Sequence, residues 1–241
     1  MGRSRINQAF RSSLLRVYRS FDIPPGPRSL VLHRRAWDEE GLPYPEIRMK
    51  YLPFALKYPR SFVERVQKMS SRKVYDYCFI GALFRSDTYE NRKWIIDFAR
   101  KRFSVKSYLC ITDPPRDYKP LGPYDLSLDK KGVRPIPKDL PPSERAFFDT
   151  EYFQIMCQAR FTLCPAGDEP WSMRFFESVM CRSVPILERS SHAWRNHLER
   201  RIGYRFYRIE DQHEFRSHIV EANYKKFIRH QTLCGPMIHN T

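Results

Sequence analysis

The sequence predicts an α/β fold on a mostly parallel sheet, and three observations carry that prediction. Short runs of β-branched and aromatic residues recur from Val74 onward. Stretches with helical apolar spacing alternate with them, the order that βαβ units impose. The chain has 241 residues and 15% aromatics, enough to bury a substantial core.

Taken in order, residues 1–20 read as a basic helix with Ile6, Phe10, Leu14 and Val17 on one side. The segment DIPPGPRS (22–29) breaks it, and Pro43, Pro45, Pro53 and Pro59 make 38–60 an extended, wrapping stretch. SFVERVQKM (61–69) reads as a short helix. VYDYCFIG (74–81) is a strand that ends on a glycine. YENRKWIIDFARKRF (89–103) places Trp94, Ile95, Phe98 and Phe103 at helical spacing, and VKSYLCI (105–111) is a second strand. The crossover between two such strands is right-handed by default. Residues 112–142 hold eight prolines and form a long loop. The pattern resumes with a helix at 149–159, the strand RFTLC, the helix SMRFFESVMC, the strand SVPIL, a helix at 191–201, the strand YRFYRI and a helix from about 211 to 230.

The formal net charge of +16 calls for an anionic partner, whether nucleic acid, membrane surface, nucleotide or acidic glycan. Residues 1–73 hold 16 Lys and Arg against 6 Asp and Glu; residues 74–241 hold 27 against 21. The chain thus divides into a basic, Pro-rich segment (1–73) and an ordinary α/β domain (74–241). The surplus in the first part is either a solvated arm or a binding surface. None of the six cysteines forms a C-x-x-C pair, and several sit inside apolar runs, which favours a reduced protein or at most one disulfide. No D-x-D, H-E-x-x-H or zinc-type Cys/His spacing occurs, so no metal or other cofactor is expected. No stretch approaches the roughly 18 apolar residues of a membrane span, and no leader is legible at the start. The expectation is therefore a soluble chain, with the cytoplasm favoured.

The segment CPAGDEPWSMRFFESVMCRSVPIL (164–187) carries the chemistry. A strand enters it and a helix leaves it, and ligands of parallel sheets bind at such turns. Ser172 suits the N-cap of that helix. On a helical wheel Met173, Phe175, Phe176, Val179 and Met180 share one arc, and Arg174, Glu177 and Ser178 fall on the other, turned away from the core. Arg174 in the first turn opposes the helix dipole unless an anion shares the site. Glu177, one turn on, could accept from ribose hydroxyls. That describes a nucleotide site; a surface Arg174–Glu177 pair is the alternative from pattern alone.

The run F-x-L-x-P-x-G-x-x-x-x-S-x-R-F-x-E-S, followed by a Cys and V-P-I-L, resembles the exostosin signature of glycosyltransferase family 47. Its residues are Phe161, Leu163, Pro165, Gly167, Ser172, Arg174, Phe175, Glu177, Cys181, Pro185 and Leu187. The likeness spans about 74–230. It implies the Rossmann-like donor half of a two-domain GT-B enzyme that takes a nucleotide sugar, mostly UDP-linked, and inverts the anomeric centre on transfer to a glycan or glycoprotein hydroxyl. By the same resemblance Arg174 meets the donor diphosphate and Glu177 the ribose. Ser172 and the Gly167 backbone line the phosphate turn, and Arg85 and Arg92 face the phosphates from the other side. Trp171 flanks base or sugar, or merely wedges the next loop. The catalytic base stays unassigned; Asp87, Asp168 and Glu169 are the candidates near the expected cleft. Only about 73 residues precede the donor half, too few for a full acceptor domain, so 1–73 reads as a reduced or incomplete acceptor side. If an anchor has been removed, the Golgi lumen replaces the cytoplasm. Two other readings stand beside this one. One is a basic nucleic-acid-binding protein, against which the lack of any nucleic-acid motif counts; the other is a catalytically inactive glycan-binding relative.

Overall fold

The computed structural model describes residues 31–32, 56–85, 89–129, 148–166, 172–188 and 203–233. In chain order the elements are β1 (Val31–Leu32), β2 (Leu56–Pro59), α1 (Arg60–Gln67), β3 (Tyr75–Gly81), α2 (Tyr89–Arg92), α3 (Trp94–Arg102), β4 (Tyr108–Ile111), α4 (Thr150–Gln158), β5 (Ala159–Leu163), α5 (Arg174–Met180), β6 (Val184–Leu187), β7 (Tyr207–Arg208), α6 (Ser217–Gln231) and β8 (Thr232–Leu233). The expected helices at 1–20 and 191–201 and the breaker at 22–29 lie outside the described residues.

Five strands form one parallel sheet in the order β4-β3-β5-β6-β7. This is the α/β, Rossmann-like architecture that the alternating pattern predicts. Helices carry the crossovers from β3 to β4, β4 to β5 and β5 to β6, both faces of the sheet are covered, and the inner strands are mainly apolar, with Asp76 of β3 and Arg160 of β5 paired at 2.7 Å. All four residues of β6 are buried, as are those of β4. Successive residues of β3 divide between two cores. Cys78 and Ile80 join a cluster with Phe153, Phe175 and Phe176, while Phe79 joins Ile95, Phe98, Leu109 and Phe161 on the other face. The expected helix over 89–103 is two short ones separated only by Lys93, and the strand expected over 204–209 is reduced to two residues.

The segment ahead of β3 packs on the same core. Tyr58, Phe62, Val63 and Val66 are fully buried in the cluster that holds Phe175 and Phe227. Phe62 meets Phe148 and Phe153 edge-on at centroid separations of 5.2 and 5.6 Å. A second, small parallel sheet, β1-β2-β8, joins this segment to the end of α6.

The long loop after β4 is irregular over 112–129, where a buried carboxylate organises it. Asp125 accepts from Tyr118 Oη at 2.6 Å, from Leu121 N at 2.9 Å and from Ser127 N at 3.0 Å. An isolated parallel bridge to Leu109 lays this residue along the sheet edge. Helix α4 is capped as its sequence requires: the Asp149 side chain accepts from Tyr152 N at 3.0 Å. No helix among the described residues is long and apolar enough to cross a membrane.

If α1 shares the core of the main sheet, Phe62→Ala should remove about 3–5 kcal/mol of stability by leaving a large cavity. Urea denaturation measures this; a loss below about 1 kcal/mol would mean that the helix is only loosely attached.

Candidate functional site

The strand order reverses between β3 and β5. From β3 the chain crosses outward to β4 on one side, and from β5 it proceeds to β6 and β7 on the other. Helix α3, after β3, packs on one face, and α5, after β5, packs on the opposite face. The loops leaving these two strands therefore diverge, and the crevice at their carboxyl ends is where parallel sheets take ligands.

Two guanidinium groups meet in that crevice. Arg174, in the first turn of α5, is half-buried; its Nη2 donates to the Ile80 carbonyl at 2.8 Å, and its guanidinium carbon lies 4.9 Å from the Phe79 ring centroid. Its Nε is buried without a hydrogen-bond partner among the described residues. Arg92, at the end of α2, is also half-buried. It donates from Nη1 to the Ala82 carbonyl at 2.8 Å and from Nε to the Ala166 carbonyl at 3.1 Å, joining the loop after β3 to the loop after β5. Gly81 stands against Arg174 with φ 155°, and a Cβ placed there would fall 2.3 Å from Nη2 and 3.3 Å from the guanidinium carbon. Only the residue without a side chain lets the cation lie on the strand end.

One shaping residue escapes the sequence reading. Asp113, just past β4, accepts Leu83 N at 2.6 Å and Phe84 N at 2.9 Å with its two carboxylate oxygens. It thereby fixes the loop that follows Gly81. Its sequence signal is an acid directly before two prolines at a strand end, which reads as no more than a loop residue. Arg85 is exposed at the end of this loop, and its carbonyl accepts Tyr89 N at 2.9 Å.

Two expectations for α5 are corrected. Glu177 and Ser178 do not lie on a solvent side: Glu177 is 4% exposed and Ser178 is fully buried. The seven-residue helix is enclosed by the sheet beneath it and by α1 and α6 above, so every residue from Phe175 on is inside. Glu177 is satisfied there by the Tyr152 hydroxyl of α4, and Ser178 Oγ donates to the Phe175 carbonyl at 2.8 Å. Arg174 turns to β3 and Glu177 to α4, so the surface ion pair is not formed among the described residues. Nor does the Ser172 side chain cap the helix. The capping position belongs to Met173, already helical at φ −56° and ψ −27°, so the extended residue that a side-chain cap needs is missing. Ser172 contributes its carbonyl to Phe175 N at 3.2 Å, and its Oγ is buried without a partner. Gly167, Asp168, Glu169, Trp171 and Asp87 lie outside the described residues.

Two substitutions test this geometry. Gly81→Ala should cost about 1–3 kcal/mol through clash and backbone strain, seen as a lower melting temperature. An unchanged melting temperature would mean that the strand end is free to move. Tyr152→Phe should cost about 1–3 kcal/mol by leaving the Glu177 carboxylate buried without its donor, and a neutral result in chemical denaturation would contradict the pairing.

Comparison with known proteins adds the family. No curated protein matches the chain. The family model for the exostosin GT47 domain matches residues 55–198, more than half of the sequence. The match takes in α1 and runs past β6, and so contains β3, β5, α5 and the crevice between them. With that span covering the switch point and both its arginines, the chain belongs to the exostosin GT47 family of glycosyltransferases.

Proposed function

We propose that the chain transfers a sugar, a pentose such as xylose or a hexose, from a UDP-linked donor to a glycan or glycoprotein hydroxyl with inversion at the anomeric carbon. The observation that carries this reading is the half-buried guanidinium of Arg174 at the carboxyl end of β3, with Nε lacking an acceptor among the described residues. A diphosphate offers such acceptors and has the geometry that a guanidinium matches. Arg92 adds a second positive charge between the same two strands.

In this reading the acceptor hydroxyl, deprotonated by a base, attacks the anomeric carbon as the bond to the diphosphate breaks on the opposite side. Negative charge grows on the departing phosphate, where Arg174 stabilises it without reorganising, because its position is already set by Ile80 and Phe79. Ser172, whose hydroxyl has no partner among the described residues, is assigned to a phosphate oxygen with the Gly167 backbone. Arg85 is assigned to the mouth of the site. Glu177 is assigned to the ribose through the small part of it that stays accessible, with Tyr152 fixing its carboxylate. Trp171 is assigned to the base or sugar. Asp87, Asp168 and Glu169 are the candidates for the base, on the loops that follow β3 and β5. No metal or other cofactor is assigned a role.

Titration calorimetry with UDP and a panel of UDP-sugars tests the assignment. One donor should bind the wild-type chain, and Arg174→Ala should weaken it by about 1.5–3 kcal/mol, the scale of a charge-assisted hydrogen bond. Equal affinity in two folded proteins would sink the role of Arg174. Failure of the folded wild type to bind any nucleotide sugar would sink the donor site itself.

A further inference from the structure

Away from the crevice, two thiols that are far apart in sequence are brought together. Cys157 lies in the last turn of α4, and Cys181 closes the C-terminal end of α5. The Cys181 Sγ donates to the Phe153 carbonyl at 3.9 Å, one turn before Cys157 on α4, and the Cys157 Sγ donates to the Val66 carbonyl at 4.0 Å. Both border a surface cleft of about 390 Å³, which Gln67, Arg182 and Tyr224 also line. All five described cysteines are buried, Cys157 at 3% and Cys181 at 1% exposure, and of them these two alone border this cleft.

The charges around the pair are uneven. Lys73 donates to the Cys157 carbonyl at 2.7 Å, and its ammonium interacts with Cys181, Cys157 and Cys78; burial lowers its pKa to about 8. The Arg182 guanidinium adds a second positive charge near Cys157. The neighbouring Cys181 thiol, with Lys73 and Arg182, holds the Cys157 thiol below its ordinary value against its own burial, whereas burial pushes Cys181 well up. Burial likewise pushes Cys78 up, to about 11. A thiol whose ionisation is favoured by neighbouring cations, at the wall of a cleft and next to a second thiol, is the arrangement of a reactive cysteine with its resolving partner.

We propose that Cys157 and Cys181 form a redox-active dithiol that a small peroxide closes to a disulfide. The Cys157 thiolate attacks one peroxide oxygen, the O–O bond breaks, and hydroxide leaves, so that Cys157 becomes a sulfenic acid. The Cys181 thiol gives up its proton and attacks the Cys157 sulfur; the S–O bond breaks and water leaves. Two thiols lose two electrons and two protons, and the peroxide becomes two waters. The closed loop contains the whole connection from β5 through α5, including Arg174 and Glu177.

The full chain, reduced, desalted and treated with hydrogen peroxide, tests this by non-reducing peptide mass mapping. The expected product is one dominant peptide pair linked through Cys157 and Cys181, with the mass lower by two hydrogens. In Cys181→Ser, dimedone should trap a sulfenic acid at Cys157; in Cys157→Ser, Cys181 should stay unmodified. In the untreated native protein, Cys157 should alkylate at least about tenfold faster than Cys78 or Cys164. Should the variants fail to fold, the wild-type map and the alkylation rates decide alone. Oxidation scattered over the other cysteines, or a Cys157 that alkylates no faster than Cys78, overturns the proposal.

Discussion

The bond from Arg174 to the Ile80 carbonyl fastens the start of α5 to the end of a central strand, and the site is built around that fastening. A seven-residue helix has too few internal hydrogen bonds to hold itself in water, so its place must come from its surroundings. Its middle is held by the hydroxyl of Tyr152 on Glu177. Its far end is held by Arg182, whose φ of 55° lies in the left-handed region that usually calls for glycine. That conformation is kept by long-range contacts: Nε donates to Gln67 at 2.9 Å, Nη1 pairs with Glu221, and the guanidinium lies 4.1 Å from the Tyr224 ring centroid. The helix is thereby tied to β3, α4, α1 and α6 together.

That cross-bracing explains why the segment before β3 matters to the site. Gln67 also donates to the Met180 carbonyl at 2.7 Å, so α1 touches α5 by two polar bonds as well as by apolar packing. Under the sheet the polar groups are equally closed. Thr162 Oγ1 meets Ser183 Oγ at 2.8 Å and the Cys78 sulfur at 3.3 Å, a polar chain from β3 through β5 to the residue just before β6. Rigid floor and braced helix leave the strand ends as the place where charge stays half open.

Much of this is legible in the sequence, for local reasons. The strands of the main sheet are read from β-branched and aromatic runs, and α4 from the helical stretch at 149–159, because both signals lie within a few residues. The segment 164–187 stands out because Arg174 and Glu177 contradict the apolar run around them. What the wheel cannot show is direction. It treats polar residues as outward, whereas Glu177 is inward because Tyr152, 25 residues earlier, supplies its donor. Arg92 and Arg174 bind backbone carbonyls, which carry no sequence signature. The small sheet β1-β2-β8 is equally hidden: its strands are two to four residues long and join distant parts of the chain. Asp113 and Arg182 take meaning only from partners that folding brings near.

The glycine at position 81 carries a demand on heredity. Its bare backbone is the seat on which the guanidinium of a residue far along the chain rests. Any descendant that gained even a methyl group there would evict the cation from the strand end. What position 81 tolerates is therefore set by the side chain at position 174.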